Sequence, residues 1–440
     1  MSGLKILWAS TSPWTNAGYG VVSRYFVYGL KERGYDVVMY TQQLLGNGII
    51  YNNVPIAPVL SPTPYSAEDM AFWYRKFGRN LLITHWDVWV LHPLMQIIEA
   101  KLNEISSLRS TIHNLKKAGL DASILEAQLA AKQAEAINWA PYVPIDAPLD
   151  EYTTEINVVL QSPATIALIA QSKFGYNEIK KIVGPSKPLY YVPHGVNTSI
   201  FKPYEESERE KLKAAIIGKQ NIFIFGFVGA NDSDRKDIPG LIKAFSIFVQ
   251  NNKDAKNAYL LVWSNTKPAA GRSYDLVRLA RRYGVADRVF FPNDQPPTIF
   301  FDEAFMAKVY NSMDWFVTMS SGEGFNLPLL EAMACGVPVI AGDHTAHHEL
   351  AFDGDYQPRG IPLKAKYVRP TLWTPTHQEY SFIDPYDMAD AMAKAYNAER
   401  EVYSANAAEF AKQYDWKVVI DKYLVPTLED IEANVLNIKQ

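Results

Sequence analysis

Ser320-Ser-Gly322-Glu323-Gly-Phe-Asn326-Leu-Pro328-Leu-Leu-Glu331-Ala-Met-Ala-Cys335-Gly336-Val-Pro-Val-Ile-Ala-Gly-Asp343 follows the apolar run Trp315–Met319 and encloses a single helix-length segment. The run reads as a strand that enters a glycine-containing loop. A helix begins near Leu327, where Pro328 suits the first turn. Gly336 ends that helix, and Val337–Ala341 reads as the next strand. A helix start of this kind presents unpaired backbone N–H groups and the positive end of the helix dipole. It is therefore an anion site whose size matches a diphosphate. Glu323 in the loop and Glu331 on the helix can face one crevice at the carboxyl ends of the strands, where open α/β sheets take ligands. Ionised carboxylates are acceptors only, so sugar and ribose hydroxyls are suitable donors to them.

Outward from this unit the chain keeps alternating strand and helix. Strand-like runs precede residue 200 at Leu4–Ala9, Asp36–Tyr40, Leu81–Thr84, Tyr142–Ile145, Val158–Gln161 and Leu189–Val192. A helix over Tyr19–Gly34 separates the first two. After the charged stretch from Glu205 to Lys213, further strands read at Ile222–Val228, Tyr259–Trp263 and Val289–Pro292. Alternation of this kind predicts parallel sheets covered by helices. At 440 residues the chain exceeds what one core usually serves. We therefore expect two α/β halves: residues 1–200, then 201–418, with a final helix over 419–440 crossing back to the first half.

One segment breaks the pattern. From Leu94 to about Ile137, apolar residues recur at three- and four-residue steps with an interruption at Lys116–Asp121. This predicts a helical hairpin inserted in the first half over about 94–138, with Asp121 capping its second helix. Packing of the two helices on each other and on the body accounts for the stripe; the alternative reading is a role in self-association or acceptor docking.

Composition excludes several classes. The sequence is 48% hydrophobic and 20% charged, with a formal net charge of −4, so there is no global field for nucleic acid or anionic membrane. The single cysteine, Cys335, rules out an intrachain disulfide framework and a cysteine-based zinc site. No apolar run approaches the ~20 residues of a membrane span, and the first residues carry no leader pattern. The expectation is a cytoplasmic protein without a transmembrane segment.

The string from Glu323 to Ile340, taken whole, resembles the signature of the family-4 retaining glycosyltransferases of the GT-B fold (glycosyl transferases group 1). The resemblance extends over nearly the whole chain apart from the hairpin. It implies two Rossmann-like domains facing a central cleft. The first would bind the acceptor and the second a nucleotide-diphosphate sugar (a UDP- or GDP-sugar), with no cofactor required. It further implies that Glu331 holds the nucleotide ribose and Glu323 contacts the transferred sugar. The amides of Gly324, Phe325, Asn326 and Leu327 would reach sugar or phosphate. The segment from Phe227 through Asn231, Arg235 and Lys236 resembles the family's donor-diphosphate segment. Lys236 matches the family lysine; Ala230 stands where an arginine is frequent, and Arg235 is taken as its substitute. Two cations there would neutralise a pyrophosphate without a metal.

Gly18-Tyr19-Gly20 resembles the family's N-terminal glycine loop and would approach the phosphates from the first domain. A dehydrogenase fingerprint would need an acid at the end of the second strand, where Tyr40-Thr-Gln-Gln stands instead. Asp146, just after a strand, matches the aspartate that many family members place against the transferred sugar, and His85 ends an earlier strand on the same side of the cleft. His194, in Tyr191-Val-Pro-His194-Gly195-Val-Asn197, resembles the segment that ends the first domain, with a hinge role. His344, His347 and His348 lack the partner spacing of a metal site. Asp232-Ser-Asp234 reads as a solvated loop, since a metal site needs a fuller oxygen set. The implied acceptor is a hydroxyl of a saccharide, lipid-linked saccharide, metabolite or modified base. Alternatives are another GT-B enzyme (a sugar-nucleotide epimerase or a phosphorylase) or a catalytically silent sugar-nucleotide binder.

Overall fold

The computed structural model describes residues 3–231, 233–267, 273–292, 301–354, 358–371 and 375–437. In chain order the first half runs β1 Lys5–Ser10, α1 Gly18–Glu32, β2 Asp36–Tyr40, β3 Ile49–Tyr51, β4 Val54–Ala57, α2 Ala67–Lys76 and β5 Leu81–His85. It continues with α3 His92–Lys117, α4 Ser123–Ala134, β6 Tyr142–Val143, α5 Thr154–Gln161, β7 Leu168–Ala170, α6 Lys173–Val183 and β8 Leu189–Tyr191. Five strands pair in the order β3-β4-β2-β1-β5 and three in the order β6-β7-β8. The two groups join where Leu82 donates to Asn138 O at 2.8 Å and Ala140 donates to Leu82 O at 2.9 Å. All pairings are parallel except β3 with β4. Strands buried on both faces explain the continuous apolar runs, such as Ile6–Ala9 and Leu81–Ile83, all near 0% exposed.

The second half contains α7 Glu206–Ile217, β9 Phe223–Val228, α8 Ile238–Asn251, β10 Ala258–Trp263, α9 Leu276–Arg282, β11 Val289–Phe290, α10 Glu303–Asn311 and β12 Trp315–Val317. It goes on through α11 Leu327–Ala334, β13 Val339–Gly342, α12 Thr345–His347, β14 Gly360–Leu363, the antiparallel hairpin of β15 Tyr367–Pro370 and β16 Glu379–Phe382, α13 Pro385–Tyr396 and α14 Arg400–Ala411. Its six-stranded parallel sheet has the order β11-β10-β9-β12-β13-β14, so the chain reverses direction across the sheet at β9 and β12. The carboxyl ends of those two strands carry the Arg235–Lys236 turn and the Glu323 loop. This is the crevice position expected of such a reversal.

The chain then returns to the first half. Val196 N donates to Tyr414 O at 2.8 Å and Trp416 N donates to Val196 O at 3.2 Å. Helical turns run from α15 Trp416–Val419 to α16 Val425–Asp430 and on to Val435, and the turn Ile420–Leu424 between them packs on α1. Tyr25 stacks on Trp416 at 4.7 Å, and Arg33 pairs with Asp421 at 2.6 Å. Gly3 N donates to Glu432, and Tyr190 donates to Asp430. Gly195 permits the crossing, because a Cβ there would lie 2.7 Å from the Trp416 ring and 2.8 Å from Tyr414 O.

Two expectations are corrected. Val158–Gln161 is not a strand but the end of α5, and the strand of this region is β7. Ile156, Val159 and Leu160 are buried while Val158 is 44% exposed. That is helical spacing hidden in a short apolar run. Asp121 does not occupy the cap of α4; Ala122 does, and Asp121 accepts from Ser123 N at 2.9 Å one residue earlier. The inserted pair α3 and α4 is present. Leu94, Met95 and Ile98 of α3 are buried, as are Ile105 and Ile112 further out, while α4 buries no residue fully.

Candidate functional site

The site is assembled from strand ends of both halves. On the second half, Ser233 leads into a tight turn Asp234–Lys236, and Asp237 caps α8 by accepting from Gly240 N at 3.0 Å. From the neighbouring strand, the loop after β12 carries Glu323 and ends at Asn326. Asn326 adopts φ 79° and caps α11 through Leu329 N at 3.3 Å. Arg235 Nη1 donates to Gly322 O at 2.7 Å and to Glu323 Oε2 at 2.8 Å. Lys236 Nζ and Ser320 Oγ both reach Glu323 Oε1, the latter at 2.6 Å. Burial pushes the Glu323 carboxyl up, but Arg235 and Lys236 outweigh it and hold the group well below the usual carboxylate range.

The first half meets this loop across the two glycines. A Cβ at Gly322 would lie 2.2 Å from Asp146 O, and one at Gly324 would lie 2.4 Å from Gln171 Nε2. Only glycine allows that approach. The Gly324 amide donates to the Asp146 carboxylate, and Arg235 Nη1 lies 3.8 Å from Asp146 Oδ2. Burial raises the Asp146 pKa, and Arg235 partly offsets it. Asp87 lies on the same wall, accepts from Tyr19 Oη at 2.9 Å, and is pushed up to about 6 by burial and by the Asp146 charge.

These groups bound a cleft of about 600 Å³. Gly18 and Tyr19, at the start of α1, line it from the first half, as do Asp146, Gln171 and His194. Arg235, Lys236, Glu323, Gly324, Phe325, Asn326, Leu327 and Glu331 line it from the second. At its far end Glu331 accepts from Tyr310 Oη at 2.7 Å and is pushed up to about 7 by burial. Trp263 and Phe301, in edge contact at 5.0 Å, complete that end. A wider groove of about 860 Å³ beside α1 shares Asn16 and Glu303 with the cleft but none of the charged cluster.

Three predicted residues sit elsewhere than expected. His85 is 0% exposed and stands behind the wall. It is boxed by the Tyr19 and Tyr142 rings at 4.7 and 4.6 Å and bonded to Gln171 at 3.3 Å. Burial lowers its pKa to about 3, and Asp87 and Gln171 occupy the cleft surface that His85 was expected to line. Asn231 is 1% exposed and spends its side chain on the Asn265 and Tyr274 backbone at 3.0 and 2.7 Å, so it braces a loop. Gly20 faces Thr15, not the cleft. Its amide donates to Ala17 O at 2.9 Å, and a Cβ would lie 2.0 Å from Thr15 Oγ1.

His194 lines the cleft, with its ring 4.8 Å from Phe325 and 5.4 Å from His85, and burial holds its pKa well below the usual value. The three later histidines diverge: His344 to Ser320 O at 3.0 Å, His347 to Asn326 at 2.8 Å, and His348 to Asp343 at 2.6 Å. Asp234 pairs with Arg369 at 3.0 Å; Asp232 lies outside the described residues. Gln171, Tyr310, Trp263 and Phe301 were not singled out as site residues from sequence, and Asp87 was read only as part of the Thr84-His85-Trp86-Asp87 segment expected to line the cleft, with His85 as its candidate. Asp87, Gln171 and Trp263 lie at or just past strand ends, the one signal that would have flagged them.

Residues 222–367 match the family described as Glycosyl transferases group 1. A D-inositol 3-phosphate glycosyltransferase of Actinosynnema mirum is 29% identical over 237 residues, which is 53% of this chain and 49% of the relative. The chain thus spans about half the length of the curated relatives it matches. Sucrose-phosphate synthase of Thermosynechococcus elongatus superposes with a TM-score of 0.69 at 17% identity, over 98% of this chain and 99% of the other. HepE of Anabaena, solved in complex with UDP-glucose, superposes with a TM-score of 0.65 at 15% identity, over 97% and 99% of the two chains. The fold is GT-B, two Rossmann-like layers of sheet and helix that face each other across the cleft.

Proposed function

We propose that the protein is a retaining glycosyltransferase that moves a sugar from a nucleotide-diphosphate sugar to an acceptor hydroxyl without a metal. The observation that carries this reading is the Arg235–Glu323–Lys236 cluster, set between Asp146 on one side and Glu331 on the other. In this reading the diphosphate lies against Arg235, Lys236 and the start of α11. The ribose is held by Glu331, and the base lies toward Trp263 and Phe301. The two side-chain cations and the helix amides take the charge that develops on the leaving diphosphate, so the chemistry asks for no divalent ion. Diphosphate in this position displaces Glu323 from its cations and frees the carboxylate for the sugar hydroxyls.

The C1–O bond to phosphate breaks with its electron pair passing to the diphosphate, and the acceptor oxygen attacks the same face of the oxocarbenium-like sugar. The diphosphate takes the acceptor proton. Asp146 steadies the positive sugar from the first half. Apposition of Gly322 and Gly324 against the first half excludes water from the reacting centre. Residues 1–200 form the acceptor domain in this scheme, 201–418 the donor domain and 419–440 the crossing segment, in a family-4 enzyme working in the cytoplasm. Among the described residues no helix is long and apolar enough to cross a membrane.

A thermal-shift panel of UDP-, GDP- and ADP-sugars tests the donor half, since a ligand of the native state raises the melting temperature by mass action. Anomeric configuration of the product by NMR tests retention, and unchanged turnover in EDTA tests metal independence. Stabilisation by a nucleotide sugar with neither transfer nor slow hydrolysis would instead identify a silent binder.

A further inference from the structure

We infer that the acceptor is an uncharged polyol or saccharide and that a phosphorylated acceptor is excluded, with Asp87 and Asp146 receiving its hydroxyls. The inference rests on the glycosyltransferase reading and narrows it to a substrate class. Among the described residues lining the cleft, the cations are Arg235 and Lys236 alone, and both belong to the donor half. Both are already committed to Glu323 and would pass to the donor diphosphate. The first-half wall presents two carboxylates, Asp87 and Asp146, and contributes no lysine or arginine of its own among the described residues; the one cation near them is Arg235 of the donor half, 3.8 Å from Asp146.

The neutral groups on that wall give a phosphate no compensation. Tyr19 already donates its hydroxyl proton to Asp87 at 2.9 Å. His194 on the wall and His85 behind it are kept uncharged by burial, so neither offers an imidazolium. Gln171 offers its amide, since its oxygen faces His85. Carboxylate oxygens with an amide beside them suit a pair of hydroxyl donors. A phosphate dianion on that wall would meet the like charges of Asp87 and Asp146, and such a juxtaposition is costly.

The test uses the full chain with a saturating nucleoside diphosphate, UDP and GDP being tried in turn. Saturation-transfer NMR then compares matched pairs: myo-inositol with myo-inositol 3-phosphate, fructose with fructose 6-phosphate, and glucose with glucose 6-phosphate. The expected result is binding of at least one neutral member and roughly tenfold or weaker binding of its phosphorylated partner. Asp87→Asn should weaken the neutral member and shrink the discrimination, while the thermal shift given by the nucleotide stays as in the parent protein. Equal or tighter binding of a phosphorylated member overturns the inference, as does failure of every neutral member to bind the nucleotide complex. If neither nucleotide stabilises the protein, the glycosyltransferase reading itself falls, and this failure is seen before any acceptor is added.

Discussion

Lys236 and Glu331 show how single side chains set the behaviour of the cleft. Lys236 is one of two cations on the path of the proposed diphosphate, and charge-assisted hydrogen bonds contribute about 1.5–3 kcal/mol each. Lys236→Ala should therefore weaken nucleoside diphosphate binding by about 10- to 100-fold in isothermal titration, with far less effect on the nucleoside. Glu331 behaves differently because burial raises its pKa from an ordinary 4.5 to about 7. A raised folded pKa means that the proton favours the folded state. The stabilisation is complete below about pH 4.5 and is lost as pH rises through 7. Glu331→Gln should therefore gain on the parent at pH 8 by on the order of 1–3 kcal/mol in urea denaturation, and the two should converge at about pH 4. Both acids of the decisive string were legible in sequence because they sit in the loop after a strand end and on the helix that follows, whereas Lys236 was picked out through the resemblance of its segment to the family's donor-diphosphate segment. His85 and Asn231 misled for a common reason. Position after a strand says which end of the sheet a residue occupies, but not whether its side chain turns inward or toward solvent.

At the level of elements, apposed backbones account for several of the tight contacts. Gly195 allows the crossing of Val196 over Asp415, and an added methyl there would lie 2.7 Å from Trp416. Gly195→Ala should cost about 1–3 kcal/mol through overpacking, read as a lower urea midpoint. The hairpin α3–α4 is the opposite case. Its distal part packs mainly on itself, through Ile105 and Ile112 and the Lys132–Glu104 pair at 2.7 Å. Replacing residues 103–133 by a short turn should leave the nucleotide-induced thermal shift unchanged. A shift to smaller mass in light scattering would assign the hairpin to self-association. The helical periodicity of this insertion was plain in the sequence because it runs for many turns. The eight residues of α5 were misread because Val158-Val159-Leu160 offers too few positions to separate a period of 2 from 3.6. The β3–β4 pair and the β15–β16 hairpin were missed for a similar reason: strands of three and four residues leave little pattern.

For the whole molecule, the two halves share one large buried cluster that takes in α1, the cleft-side helix α11 and the returning segment from Tyr414 to Ile431. Trp416 is its keystone, 4% exposed, stacked on Tyr25 and edge-on to Phe26 at 5.4 Å. Trp416→Ala should cost about 3–5 kcal/mol, and tryptophan fluorescence and circular dichroism should then give separate unfolding transitions in place of one. The two-sheet plan was readable from alternation alone. The packing of the last segment on the first helix was not, because no local pattern records a partner so far away. That separation has a consequence in time. Arg33 and its partner Asp421 are 388 residues apart, which at 5–20 residues per second is roughly 20–80 s of synthesis. Through that interval the outer face of α1 emerges on the nascent chain with nothing to cover it. The arrival of the returning segment around Asp421 therefore decides when the first helix stops being a surface on which chaperones or other chains can settle.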